Sequence, residues 1–194
     1  MSKVLQLAEQ TYDAYRSADF PVRRFTRAAL QTVLTVLVAR SGGLISMERA
    51  GESFEKRPIS LLRIGSGPVN ILLWSQMHGD EPTATMAIVD ILRFALHHRA
   101  RPEMEHLLSS ITMHFLPMLN PDGAERFQRR TAQGIDMNRD ALALVTPEAR
   151  LLRDTQAKLK PTFGFNLHDQ ELSTVAQSKR LTAVALLEIG RAHV

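Results

Sequence analysis

With 194 residues, 44% of them apolar, the chain is long enough for one domain with a sizeable core. It contains no cysteine, which excludes a disulfide framework, a thiolate metal ligand and a cysteine nucleophile; any metal must be held by His, Asp or Glu. The formal charge is +4, yet the basic residues alternate with acids instead of forming a stripe with interleaved aromatics, so nucleic-acid binding is not expected.

The most apolar segment, around Val33 to Ala39, is far short of the roughly 20 residues that cross a bilayer. The N-terminus has no apolar run followed by a small-residue cleavage site. The expectation is a cytoplasmic protein with no membrane partner.

In chain order, Val4, Leu5, Leu7 and Ala8 followed by Tyr12 and Tyr15 recur at helical spacing, and Ala28 to Ala39 repeats the pattern after Pro21. Residues 1–43 therefore read as an N-terminal helical segment capping the core, closed by Ser41-Gly42-Gly43. Strands are expected at Leu44 to Arg49, Pro58 to Ile64 and Val69 to Gln76. The short turns between them suggest antiparallel neighbours. The third is apolar on both faces, as a strand buried inside a sheet should be.

Pro82 then opens a helical pattern running to about His98, a further two turns are expected over Glu103 to Ser109, and Ile111 to Met118 reads as another buried strand. Leu119 to Gly123 is a loop, and 124–146 is loop-rich. Thr146-Pro147-Glu148 caps and leads a helix that ends near Lys160, before a strand from Phe163 to Leu167 with His168 at its end. Strands near Val175 and over Leu181 to Leu187 follow. The order strand, loop, helix, strand predicts an α/β fold with helices against a mixed sheet, and chemically capable residues fall after strand ends at His78, Asn120, Asp122 and His168.

The stretch Trp74 to Met86, WSQMHGDEPTATM, delivers an imidazole and a carboxylate, His78 and Glu81, on one tight turn. Zinc accepts nitrogen and oxygen donors, and these two can converge on one ion if a third ligand comes from elsewhere. Taken singly, each piece has an ordinary structural reading: a hydrogen-bonded histidine, an Asn-Pro-Asp-Gly turn, a solvated Asn-Arg pair.

Taken together, HGDEPTA, NPDG, GIDMNRD and FNLHDQ, in this order from about Leu44 to Gln170, resemble the zinc carboxypeptidase family of metallopeptidases. The resemblance implies one zinc ion held by His78, Glu81 and His168. It also implies a peptide or peptide-like substrate with a free carboxylate held by Asn138 and Arg139, and oxyanion stabilisation by Arg129, with Arg130 the neighbouring candidate. Asp169 or Asp122 is expected to orient a ligand histidine. The implied reaction is peptide or amide hydrolysis. The closest rival implied by the motifs is a zinc-dependent deacylase of the aspartoacylase or succinylglutamate desuccinylase type; a non-catalytic zinc-binding fragment is the other.

The chain departs from the family at its C-terminal end. The family's general-base glutamate lies on a strand well beyond the last ligand histidine, in a context that neither Glu171 nor Glu188 has, and no tyrosine other than Tyr12 and Tyr15 is available to cap substrate. The last residues, Glu188-Ile-Gly-Arg-Ala-His-Val194, are the in-frame translation of a common sequencing adapter. The expectation is therefore a truncated catalytic domain over 44–187, inactive for lack of its base, with 188–194 an assembly scar.

Overall fold

A computed structural model describes residues 3–15, 20 and 24–169, and the backbone of 184–189. The N-terminal helices are α1, Lys3–Tyr15, and α2, Arg27–Arg40. Thr26 caps α2 by accepting the Ala29 N–H, and Leu30, Leu34 and Leu37 form its buried stripe. After Gly42 and Gly43, both at positive φ, come strands β1, Ile45–Glu52, β2, Pro58–Gly65, and β3, Val69–Ser75.

Helices α3, Thr83–His97, and α4, Pro102–Ser110, lead to β4, Ile111–Leu116. Asn120 then caps a short helix α5, Pro121–Arg126, by accepting the Gly123 N–H, so NPDG starts a helix where a loop was expected. A 3₁₀ turn at Met137–Arg139 precedes α6, Pro147–Leu159, capped by Thr146; β5, Phe163–Asp169, and β6, Val184–Ile189, complete the sheet. The expected strand near Val175 lies outside the described residues. Strand β6 overlaps the one expected over 181–187 and continues through Glu188 and Ile189 of the tail.

The strand order is β1-β2-β4-β3-β5-β6, with β3 parallel to both β4 and β5 and the other pairs antiparallel. This is the mixed α/β sheet that the sequence predicts, with one correction. Strands β1 and β2 are antiparallel neighbours, but β2 and β3 are not neighbours, because β4 lies between them.

The short connection Gly65-Ser66-Gly67-Pro68 is a crossing under the end of β4. Ser66 N–H donates to Leu108 O, Gly67 N–H to Ile111 O, and Thr112 Oγ1 back to Gly67 O. A side chain at Gly67 would place its Cβ 2.0 Å from the Ser110 carbonyl carbon, and Gly65 sits at φ 88 with Ile111 O equally crowded. Only glycine lets the backbone pass there.

Two apolar clusters occupy opposite faces of the sheet. Leu62, Ile64, Phe115 and Leu167 face α1, α2 and α3, whose Tyr15, Leu34, Ile88 and Leu92 join the same cluster, so the N-terminal segment is part of the main core. Leu61, Leu72, Trp74 and Leu116 point the other way, onto Met137 and Leu152. At 25 cal/mol per Å², burying one such leucine or phenylalanine side chain contributes about 1.5–3 kcal/mol, and this closes both faces of β3. No helix among the described residues is long and apolar enough to cross a membrane.

Candidate metal centre

Parallel pairing of β3 and β5 puts their carboxyl ends at one edge: Ser75 lies opposite Leu167, so His168 stands just beyond one strand's last pair and His78 just beyond the other's. Glu81 closes the turn from His78, its N–H donating to His78 O at 3.2 Å, and Pro82 then admits α3. The turn is pressed against α5. A Cβ on Gly79 would lie 2.0 Å from the Gly123 carbonyl carbon, so glycine is required at 79 for this approach.

The three side chains meet. Glu81 Oε1 is 2.7 Å from His78 Nδ1, Glu81 Oε2 is 2.7 Å from His168 Nδ1, and the two imidazole rings are 4.8 Å apart between centroids. One donor atom from each of the three residues lies within 4.8 Å of the others, close enough for one ion to gather them. His78 and His168 are buried, and Glu81 is nearly so.

The donor set suits zinc on chemical grounds. Asp136 Oδ1 stands 3.2 Å from His78 Nε2, and a carboxylate only accepts; a proton on Nε2 would leave Nδ1, the nitrogen 2.7 Å from Glu81 Oε1, free to bind a cation. Nδ1 against a carboxylate oxygen needs a positive charge between or upon them, and a proton or a divalent cation supplies it equally. Two nitrogens and a carboxylate are a tetrahedral zinc ligand set with one position left over.

Burial alone would raise the Glu81 carboxyl, but hydrogen bonds with His168 and His78 outweigh it and hold it down at about 2. For Asp136, too, burial is the largest influence and opposes ionisation; the His78 contact, the Asn138 N–H and the Arg129 charge together take the carboxyl below its usual range. Both groups are anions at neutral pH, as ligands and their supports must be.

Of the residues the sequence singles out for substrate chemistry, Arg129 and Asn138 are at the site. The Arg129 guanidinium donates to Asp136 Oδ2 at 3.2 Å and reaches Glu81 Oε1 at 3.4 Å while half exposed. Asn138 Nδ2 stands 3.4 Å from His78 Nε2 and 3.5 Å from His168 Nε2, and its Oδ1 accepts from Asn166 at 3.3 Å. Arg139 is exposed on the adjoining 3₁₀ turn, with no ion pair from its guanidinium among the described residues. Arg130 donates to Gly134 O, within its own loop.

The carboxylate beside His78 is Asp136, where Asp122 or Asp169 is expected from the sequence. Asp122 is spent on Ser53, the Glu55 N–H and Arg57, and Asp169 accepts from Thr83. Asp136 stood inside the GIDMNRD motif, two positions before Asn138; only the folding of that loop over His78 gives it a role.

The site is thus a candidate mononuclear metal centre at the carboxyl edge of a mixed sheet. The family model of the zinc carboxypeptidases matches residues 30–179, and the chain belongs to that family.

Among curated proteins it is 29% identical over 144 residues to carboxypeptidase 2 of Trichophyton rubrum, covering 68% of this chain and 26% of that protein. It is 30% identical over 121 residues to carboxypeptidase A2 of Mus musculus, covering 54% and 29%. The chain thus spans under a third of the length of these relatives. A metallo-carboxypeptidase from Burkholderia cenocepacia superposes with a TM-score of 0.69 at 20% identity, over 80% of this chain and 47% of the other. One from Pseudomonas aeruginosa, solved in complex with (2-guanidinoethylmercapto)succinic acid, gives 0.66 at 24% identity, over 76% and 40%. The resemblance in the motifs and the fold expected from it are both borne out.

Proposed function

We propose that the protein from which this chain comes is a zinc-dependent carboxypeptidase, hydrolysing the terminal peptide bond of peptides or peptide-like amides, with zinc held by His78, Glu81 and His168. The observation that carries this reading is the convergence of those three side chains, from two strand ends and one turn, within 4.8 Å. Zinc bound there would supply a water activated near neutral pH and polarise the scissile carbonyl.

The chain's own residues do the rest. Asp136 holds the Nε2 proton of His78 and fixes the ring. Arg129 is exposed enough to turn from Glu81 and Asp136 toward an oxyanion, for which a charged, bidentate donor is well suited. Asn138 and the exposed Arg139, adjacent on the 3₁₀ turn, are positioned to receive a substrate carboxylate through an amide and a guanidinium fork.

A second reading, in which the chain binds zinc without turnover, is supported by the register of β6. Glu188 pairs with Phe165, whereas His168 pairs with Ala185, so Glu188 stands well down the ladder from the level of the site. Glu171 lies outside the described residues.

Metal analysis tests the zinc assignment. The purified chain should hold about one zinc ion, and His78→Ala and His168→Ala should each lose it; a double variant that still bound zinc stoichiometrically would overturn the reading. On the intact gene product, release of C-terminal residues from peptides with a free but not an amidated C-terminus is expected. Preference for N-acyl amino acids over peptides would point instead to the deacylase chemistry.

A further inference from the structure

The proposed ligands arrive on separate segments, and each of those segments is tied by a side chain to the first turn of α3. Gln76, fully buried and at a left-handed φ of 51, links β3 to the ligand-bearing turn. Its Nε2 donates to Gly79 O at 3.0 Å, between His78 and Glu81, and its Oε1 accepts from Thr85 Oγ1 at 2.9 Å. Thr85 Oγ1 is also 2.9 Å from Ser75 Oγ, so when it donates to Gln76 it accepts from Ser75 and its hydroxyl is satisfied on both sides.

Two residues earlier on the helix, Thr83 donates to Asp169 Oδ2 from its hydroxyl at 2.7 Å and from its N–H at 3.2 Å. Asp169 directly follows His168, and its own N–H donates to Glu81 Oε2 at 3.3 Å.

We propose that Thr83 and Thr85 are positioning residues that set the metal ligands in place before an ion binds, Thr85 through Gln76 and the His78 turn, Thr83 through Asp169 and the end of β5. This rests on the zinc reading of the site. One helical turn thereby gauges both the His78 to Glu81 spacing and the height of His168. Left-handed backbone at a non-glycine residue is unfavourable by itself, so the bonds at Gln76 must hold it there. Ligands fixed in advance lose little freedom on binding, and the benefit falls on affinity for the ion.

The test measures zinc affinity by competition with a chromophoric chelator, the visible absorption of the cobalt(II)-loaded chain, and the melting temperature of the metal-free chain. It uses the full chain and its Thr83→Val, Thr85→Val, Thr83→Ser and Thr85→Ser variants. Thr155→Val, at a buried threonine of α6 away from the site, is the control.

Each valine variant should bind zinc about 10–100-fold more weakly, the range seen when outer partners of metal ligands are removed, and the cobalt spectrum should change. Serine, which keeps the hydroxyl, should restore both. The control should lower the melting temperature alone. If the parent binds zinc and the valine variants bind it within twofold, or if the control weakens binding equally, the positioning role is overturned while the zinc reading stands. A parent chain that binds no zinc overturns both. Thr83 is only half-buried, so its valine variant keeps the test available if Thr85→Val does not fold.

Discussion

Asp136 shows what a single carboxylate does when the chain places it behind a ligand. It accepts from Arg129 and from the Asn138 N–H and lies 3.2 Å from His78 Nε2, a contact that favours the tautomer whose unprotonated nitrogen faces Glu81. Asp136→Asn keeps the size but substitutes an amide that can present a donor to Nε2, which favours the wrong tautomer. Zinc affinity of that variant, measured by chelator competition, should fall about 10–100-fold with the fold intact, and unchanged affinity would show that His78 needs no partner. The proposed ligands were legible in the sequence, His78 and Glu81 from their spacing on one turn and His168 because the FNLHDQ motif resembles the family's. Asp136 was not, because nothing local distinguishes it from Asp122 or Asp169, and only the fold shows which carboxylate lies over the ring.

At the scale of elements, what could be read was type and order. Period located the N-terminal helices, and Thr146 with Pro147 marked the start of α6, where the structure has its N-terminus. Neighbour relations were harder, since a three-residue link between β2 and β3 looks like a hairpin until the crossing at Gly65 and Gly67 is seen; the signal lies in a backbone approach that no side chain records.

Helix α6 carries a further consequence in its first turn. Asp140 accepts from Thr146 N–H, Thr146 Oγ1 and Val145 N–H, and these bonds outweigh the effect of burial, the largest single influence, to lower its carboxyl. Glu148 goes the other way: burial raises it, although its Oε1 accepts the Phe54 N–H that ties α6 to the β1–β2 hairpin. A carboxyl whose folded pKa lies above its unfolded value of 4.5 contributes most below that value, and the contribution is lost as pH rises through the folded pKa. Glu148→Gln removes the ionisation and keeps the acceptor. Its melting temperature relative to the parent should therefore climb as pH is raised from about 4 to 7. A difference that stays flat over that interval would show that Glu148 ionises alike in the folded and unfolded chain, so that burial does not raise its carboxyl.

For the whole molecule, the proposed metal centre would also be a structural joint. The three side chains proposed as ligands stand on the turn after β3 and at the end of β5, adjacent parallel strands in the middle of the sheet, and behind them lies the core that α1 to α3 cover. An ion held by both strand ends binds the folded chain and not the unfolded one, so its binding free energy adds to stability by mass action. With free zinc at 100 times its dissociation constant the gain is about 2.7 kcal/mol. In a chain of this size each kcal/mol moves the midpoint by about 2–4 °C, which gives an expected rise of about 5–11 °C over the chelator-treated protein. The rise should grow with the logarithm of free zinc, vanish in His78→Ala and His168→Ala, and persist in Arg139→Ala, since Arg139 contacts none of the three ligands. A midpoint indifferent to zinc in the parent, measured by scanning calorimetry at fixed pH, would mean that the three side chains meet for the sheet's sake and hold no ion.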